Sequence, residues 1–308
     1  MIEKAIDTIL AENSIPKLKI EHIKSCDNEH LFFVNDLYLL RISDGNTDRQ
    51  RQLLSRVAHI TATQKLLRQG TVAGATNLSY LLCTKLQGSD FFDSIESLTD
   101  SQKANIGKSV AAFIGELQTI RSTGYDIGHY IPIIPEFKGS WQEGHARYWG
   151  YISGELSRLG IDGSNRIRAA FDFMDSYRGA LRQESGSVLL HNDLHPKNII
   201  INDGLFTGVI DWECSQFGEP DFEYCHFLHW CVFPPKESAD LKAFLASVLD
   251  ESKIRSRFDD FIERQTIYQL EHEMMQIVWS RGTCLNERLP KIEYWLNGGV
   301  KSLLQSIA

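Results

Sequence analysis

A chain of 308 residues with a formal net charge of −8 lacks the basic excess that sequence-independent nucleic-acid binding requires. Its 43% hydrophobic and 23% charged residues are those of a soluble globular enzyme, long enough for two lobes. No apolar run approaches the ~20 residues of a membrane span, and the amino-terminal residues lack the apolar core of a secretion signal.

The six cysteines, at 26, 83, 214, 225, 231 and 284, form no C-x-x-C pair and no metal-ligand spacing. Free thiols and a cytoplasmic location are therefore expected. The acidity is first of all that of a plainly soluble protein, and it also fits a cationic partner.

Residues 1–13 read as a helix, with Ile2, Ile6, Ile9 and Leu10 at helical spacing. Strands follow at 19–23, 31–34 and 37–42, the last two joined by the tight-turn pair Asn35-Asp36. A helix is predicted over 48–67, closed by Gly70, then a buried strand over 79–86 ended by Gly88. These elements make a small mixed lobe of residues 1–86.

From Leu98 the pattern turns helical, with Thr99 among the candidate caps for a helix running to about 120. After a looser stretch from Gly124 to Gly139, helices are predicted over 141–159 and 165–183. A short β island at 188–211 interrupts them, and residues 220–308 read as largely helical. In the helix expected over 258–281, Asp259, Asp260, Glu263, Glu271 and Glu273 are assigned mostly to a solvated face. Phe261, Leu270, Met274 and Ile277 are assigned to the core.

The β island carries the chemistry. Val188–Leu190 is a short buried strand followed at once by polar His191-Asn192-Asp193, which places these three in a loop. Ile199–Ile201 and Leu205–Ile210 are strands joined by the turn signal Asn202-Asp203-Gly204. Asn198 precedes the first strand and Asp211 follows the second, so a hairpin brings both to its open end near Asp193. Three oxygen-bearing side chains there suit a hard divalent cation, with one carboxylate left to act on a hydroxyl.

The run His191-Asn-Asp-Leu-His-Pro-Lys-Asn198 resembles the catalytic loop of protein-kinase-like enzymes, and Val209-Ile-Asp-Trp212 stands in the place of their metal-binding motif. The form V-I-D-W, with Gly218-Glu-Pro-Asp-Phe-Glu223 after it, is similar to the aminoglycoside phosphotransferase family. Cys26-Asp-Asn28 with Leu31–Arg41 looks like that family's first hairpin, and Ser79–Gly88 like its interlobe hinge.

The resemblance implies an α+β, two-lobed protein-kinase-like fold. Residues 1–86 would form a β-rich nucleotide-binding lobe, and 87–308 a mainly helical lobe with the catalytic loop and acceptor site. It implies Asp193 as the group that takes or orients the proton of the acceptor hydroxyl. Asn198 and Asp211 would hold Mg2+ against the phosphates of ATP or GTP. Arg41 stands in the place of the phosphate-gripping lysine. Main-chain groups of Thr84 and Leu86 would bond the base. His195 is placed as a contact of the γ-phosphate or as a plain loop histidine, and His191 as a structural brace.

Two departures from the family pattern stand out. No glutamate lies between Asp48 and Lys65 to pair with Arg41, which leaves His59, Thr61 or Gln64 as stand-ins or no partner at all. Residues 25–30 contain no glycine.

Glu219, Asp221 and Glu223 either face the acceptor or complement a helix dipole behind Pro220. Trp230 either stacks on a sugar ring or packs in the core. The implied reaction moves the γ-phosphate of a nucleoside triphosphate onto a hydroxyl of a small cationic acceptor, an aminoglycoside-like antibiotic. A metabolic acceptor (choline, ethanolamine, an amino acid or a sugar) is the alternative, and a nucleotide-binding pseudokinase a third reading. No nucleic-acid or membrane partner is implied.

Overall fold

The computed structural model describes residues 2–26, 29–45, 47–72, 78–126 and 139–307. Residues 27–28 of the expected first hairpin and most of the loose stretch after Gly124 lie outside them. In chain order the elements are α1 (Ile2–Glu12), β1 (Ile20–Cys26), β2 (Glu29–Val34), β3 (Tyr38–Ser43), α2 (Asp48–Arg56), β4 (Leu66–Thr71), β5 (Ser79–Thr84), β6 (Ser89–Asp90) and α3 (Phe91–Ser94). They continue with α4 (Asp100–Leu117), α5 (Trp141–Arg158), α6 (Asn165–Ser176), β7 (Val188–Leu190), β8 (Ile199–Asn202), β9 (Leu205–Val209) and β10 (Gln216–Gly218). The last are α7 (Cys225–Val232), α8 (Lys242–Ser252), α9 (Phe261–Trp279), α10 (Leu285–Leu296) and α11 (Gly299–Ser306). The chain forms two compact units, Met1–Phe91 with Lys197–Glu213, and Phe92–Pro196 with Cys214–Ala308.

In the first unit an antiparallel sheet runs β1-β2-β3-β5-β4. Its side chains alternate with period two. Phe32, Val34, Leu40, Ile42, Tyr80 and Leu82 all point to one face, where Ala5, Ile6, Ile9 and Leu10 of α1 cover them. Arg41, between Leu40 and Ile42, therefore lies on the opposite face. Asn35 and Asp36 both have positive φ, which gives the β2–β3 hairpin the primed turn that matches strand twist.

The helix expected over 48–67 is cut short: α2 stops at Arg56, and residues 66–71 form β4. Leu66, Leu67 and the flanking polar residues carry no strong preference. Pairing with the buried strand β5 satisfies their backbone, so tertiary context overrides local propensity. Asp203 and Gly204 form a second positive-φ turn between β8 and β9. Strand β6 packs beside β8, and this approach needs Gly88, where a Cβ would meet the Ile201 carbonyl oxygen at 2.0 Å.

The second unit is helical. Thr99 with Gln102 and Ser140 with Glu143 form capping boxes that start α4 and α5. The small Gly107 lets α4 approach α8 until a Cβ would come within 2.5 Å of the Phe244 carbonyl oxygen. Helix α9 is buried along most of its circumference, including its expected core residues Phe261, Leu270, Met274 and Ile277. Glu271 and Glu273 are buried with them, which corrects their assignment to a solvated face. Each has internal donors: His145 and Trp149 for Glu271, and Arg288 and Trp295 for Glu273.

Candidate active site

The nucleotide-side candidates Arg41, Thr84, Leu86, Asn198 and Asp211 all fall in the first unit. On β3, Arg41 Nε is 3.1 Å from Glu29 Oε1, and its Nη2 is 3.9 Å from Glu213 Oε2. The register pairs Arg41 with Leu31, so Glu29 sits on the same face, diagonally across the ladder. The partner expected from the helix after β3 thus comes from the neighbouring strand, and none of His59, Thr61 or Gln64 takes that place.

Thr84 N–H donates to the Lys65 carbonyl and its hydroxyl accepts from Lys65 N–H, both at 2.9 Å. Any main-chain contact of Thr84 with a base therefore falls to its carbonyl. Leu86 packs its side chain towards Gly208 on β9.

The β8–β9 hairpin does what its sequence requires at its open end. Ile210 N–H donates to the Asn198 carbonyl at 3.0 Å, which ties the residue before Asp211 to Asn198. Asp211 itself has φ +66°, a conformation costly for most side chains and one that points to function. Burial, then the charge of Asp211, raises the Glu213 carboxyl above its usual range.

The donors at this end are an amide oxygen and a carboxylate, hard ligands of the kind Mg2+ takes. Among the described residues no group of three or more His, Cys, Asp or Glu forms a metal cage. Mg2+ usually binds through one or two protein oxygens, with phosphates and water completing the shell, and so needs no such cage.

The hydroxyl-side candidates Asp193 and His195 fall in the second unit. The His195 Nε2 atom lies 3.6 Å from Asp193 Oδ1. Its ring stacks on Trp230 at 4.6 Å between centroids and 15° between planes, and Trp230 meets Phe92 edge-on at 5.3 Å. One face of Trp230 is thus taken by His195, and the indole lines an outer cavity of about 1000 Å³ rather than the core. In that outer cavity Lys242, Arg288 and Lys291 offset Glu237, Asp240 and Glu287. A second, inner cavity of about 290 Å³ also reaches Asp193, together with Asn192, Tyr148, Phe222, Glu271 and Trp279.

The three acids expected near the acceptor are corrected by their burial: Glu219 and Asp221 are 0% exposed and Glu223 is 1%. Glu219 accepts from Tyr125 O–H, from Ser185 N–H and Oγ–H at 2.8 and 2.9 Å, and from Gly186 N–H at 3.1 Å. Asp221 takes a two-pronged grip from Arg264, at 2.6 and 2.7 Å. Glu223 accepts from the N–H groups of His191 and Asn192 at 2.6 and 3.0 Å, so it fixes the main chain beside Asp193 rather than a ligand. Burial pushes its carboxyl up to about 7. His191 is fully buried beside it.

Sequence reasoning missed Glu29 and Glu271. The first was legible in principle from the two-residue offset across the β2–β3 hairpin. The second carried no signal, because its acid looked like those on a wet helix face.

The sequence matches the APH phosphotransferase enzyme family over residues 26–253. The chain belongs to that family. Solved structures agree with this APH-family assignment in fold. The GDP complex of aminoglycoside 2'-phosphotransferase-IIIa superposes with a TM-score of 0.67 at 14% identity, covering 97% of this chain and 98% of that one. The streptomycin–ATP ternary complex of APH(2")-IIa gives 0.64 at 15% identity, with 99% and 96% covered. A thermostable APH(4)-Ia mutant with AMP-PNP and hygromycin B gives 0.65 at 15% identity, with 97% and 98% covered. A comparison with curated proteins found no match. The fold is thus the kinase-like one of the APH family, with an antiparallel sheet in one unit and helices in the other. No helix among the described residues is long and apolar enough to cross a membrane.

Proposed function

We propose that this APH-family protein transfers the γ-phosphoryl group of ATP or GTP to a hydroxyl of a small molecule that carries an amino group. The observation that carries the reading is the position of Asp193. This carboxylate, on the loop braced by Glu223, lines two cavities large enough for a small acceptor.

A hydroxyl held there gives its proton to Asp193 as its oxygen bonds to the γ-phosphorus and the bond from phosphorus to the β–γ bridging oxygen breaks. The neighbouring His195 keeps the carboxylate in place through its stacked ring. Arg41, steadied by Glu29, offers the rest of its fork to phosphate oxygens. Asn198 and Asp211 hold Mg2+, which neutralises phosphate charge when bound.

The aminoglycoside-like acceptor rests on the family resemblance. A metabolic acceptor with a single amine is favoured by one observation. Glu219, Asp221 and Glu223, which were expected to draw in a cationic acceptor, are consumed inside the protein, and the outer cavity is nearly balanced in charge.

The test is a panel of aminoglycosides, amino alcohols and sugars screened for acceptor-dependent nucleoside diphosphate release, with Asp193→Asn as the control. Release from one acceptor class, abolished in the control, is expected. Acceptor-dependent release that survives Asp193→Asn overturns the assignment.

A further inference from the structure

The inner cavity is lined by a buried carboxylate with one oxygen that the described residues leave unmatched. Glu271, on α9, is 2% exposed. Its Oε1 atom accepts from His145 Nδ1–H at 2.6 Å and from the indole N–H of Trp149. The Oε2 atom has no hydrogen-bond partner among the described residues, and neither has His145 Nε2.

A carboxylate can only accept, so the His145 hydrogen at this contact sits on Nδ1, and in that tautomer Nε2 is an acceptor too. Two buried acceptors, Glu271 Oε2 and His145 Nε2, thus belong to residues that line one cavity. A buried acceptor left unmatched is costly, and a buried charge more so.

The walls make the missing partner specific. Tyr148, Phe222 and Trp279 supply aromatic surface, and no lysine or arginine lines the inner cavity among the described residues. Burial pushes His226 down to about 3, so it adds no positive charge at neutral pH, and it likewise lowers His272. Asp193 and Glu271 are the acids of this lining. The outer cavity, by contrast, mixes Lys242, Arg288 and Lys291 with its acids.

We infer that Glu271 and His145 form the ammonium subsite of the acceptor. The inner cavity takes one protonated amine, and a hydroxyl of the same molecule reaches Asp193 at the shared wall. This rests on the kinase reading above and narrows it. The acceptor is a compact mono-amine, with its N–H groups on Glu271 Oε2 and His145 Nε2 and its carbon skeleton against aromatic rings.

Binding can be measured on the full chain without nucleotide, so the result does not depend on phosphoryl transfer. Calorimetric titration would compare benzylammonium with benzyl alcohol, a neutral probe of the same shape. The wild type is expected to bind benzylammonium about tenfold or more tightly than the alcohol. Glu271→Gln, which keeps an acceptor for His145 and Trp149, is expected to bind the two probes equally.

Equal affinity of the wild type for both probes, or no binding of either, overturns the inference without need of a variant. So does an ammonium preference that survives Glu271→Gln. Failure of the kinase reading would appear separately, as acceptor-dependent diphosphate release that survives Asp193→Asn.

Discussion

Arg41 on β3 and Glu29 on β2 form an ion pair at 3.1 Å across adjacent strands, on the sheet face opposite α1. Glu29 thus meets Arg41 from the neighbouring strand of a ladder and not from the helix after β3. Glu29→Gln should therefore raise the KM for nucleotide by about tenfold, the size of one partly screened charge-assisted hydrogen bond. The acceptor KM should not move. Steady-state kinetics with each substrate varied in turn checks this, and a shift confined to the acceptor would remove Arg41 from the nucleotide side.

Asp193→Asn keeps the size and most of the local contacts of the loop but removes the base. Turnover should fall by about 10²–10⁴-fold, with the thermal midpoint nearly unchanged. A variant that retains a third of wild-type kcat would require another residue in this role.

Asp211 is held at φ +66°. Asparagine tolerates that conformation, whereas alanine there adds a backbone cost of about 1 kcal/mol, so Asp211→Asn isolates the charge. It should weaken magnesium-dependent nucleotide binding in calorimetry while leaving metal-free nucleotide binding unchanged. Equal loss with and without the metal would contradict the assignment of Asp211 as a ligand.

Glu223 has its carboxyl raised from 4.5 to about 7 in the folded protein. Below 4.5 the group is protonated in both states. As pH rises from there, the unfolded chain ionises first and the folded state holds its proton, so stability falls until the folded group has also ionised near 7. Urea denaturation across this window should show the wild type losing a few kcal/mol relative to Glu223→Gln. Parallel curves for the two proteins would mean that the carboxylate is ionised throughout.

Asp221 and Arg264 are both 0% exposed. Asp221→Ala leaves a buried guanidinium unpaired and should cost about 3–5 kcal/mol, read as a fall in the denaturation midpoint. If the folded variant instead shows a raised acceptor KM at unchanged stability, Asp221 belongs to the acceptor site after all.

Much of the architecture is fixed by local rules. The paired residues Asn35-Asp36 and Asp203-Gly204 select primed turns, which set the register of two hairpins. That register brings the main chain at Asn198 and Ile210 together, and it sends Arg41 to the face opposite Leu40 and Ile42. The loop at His191–Asn198 and the hairpin that ends at Val209 were therefore legible as local structure from residue order.

Burial was not legible. Acids at 219, 221 and 223 read equally well as acceptor-facing groups or as partners of a helix dipole, and those at 271 and 273 read as part of a solvated face. Their roles diverge only once Arg264, the His191–Asn192 backbone, His145 and Arg288 are brought against them from positions between roughly 15 and 130 residues away. The same holds for β4, whose strand exists because β5 offers a ladder. Sequence determined which residues could do chemistry. The tertiary structure decided which of their charges were spent inside the protein and which, at Asp193 and Glu271, line a cavity, because only packing distributes the donors that a buried carboxylate must find.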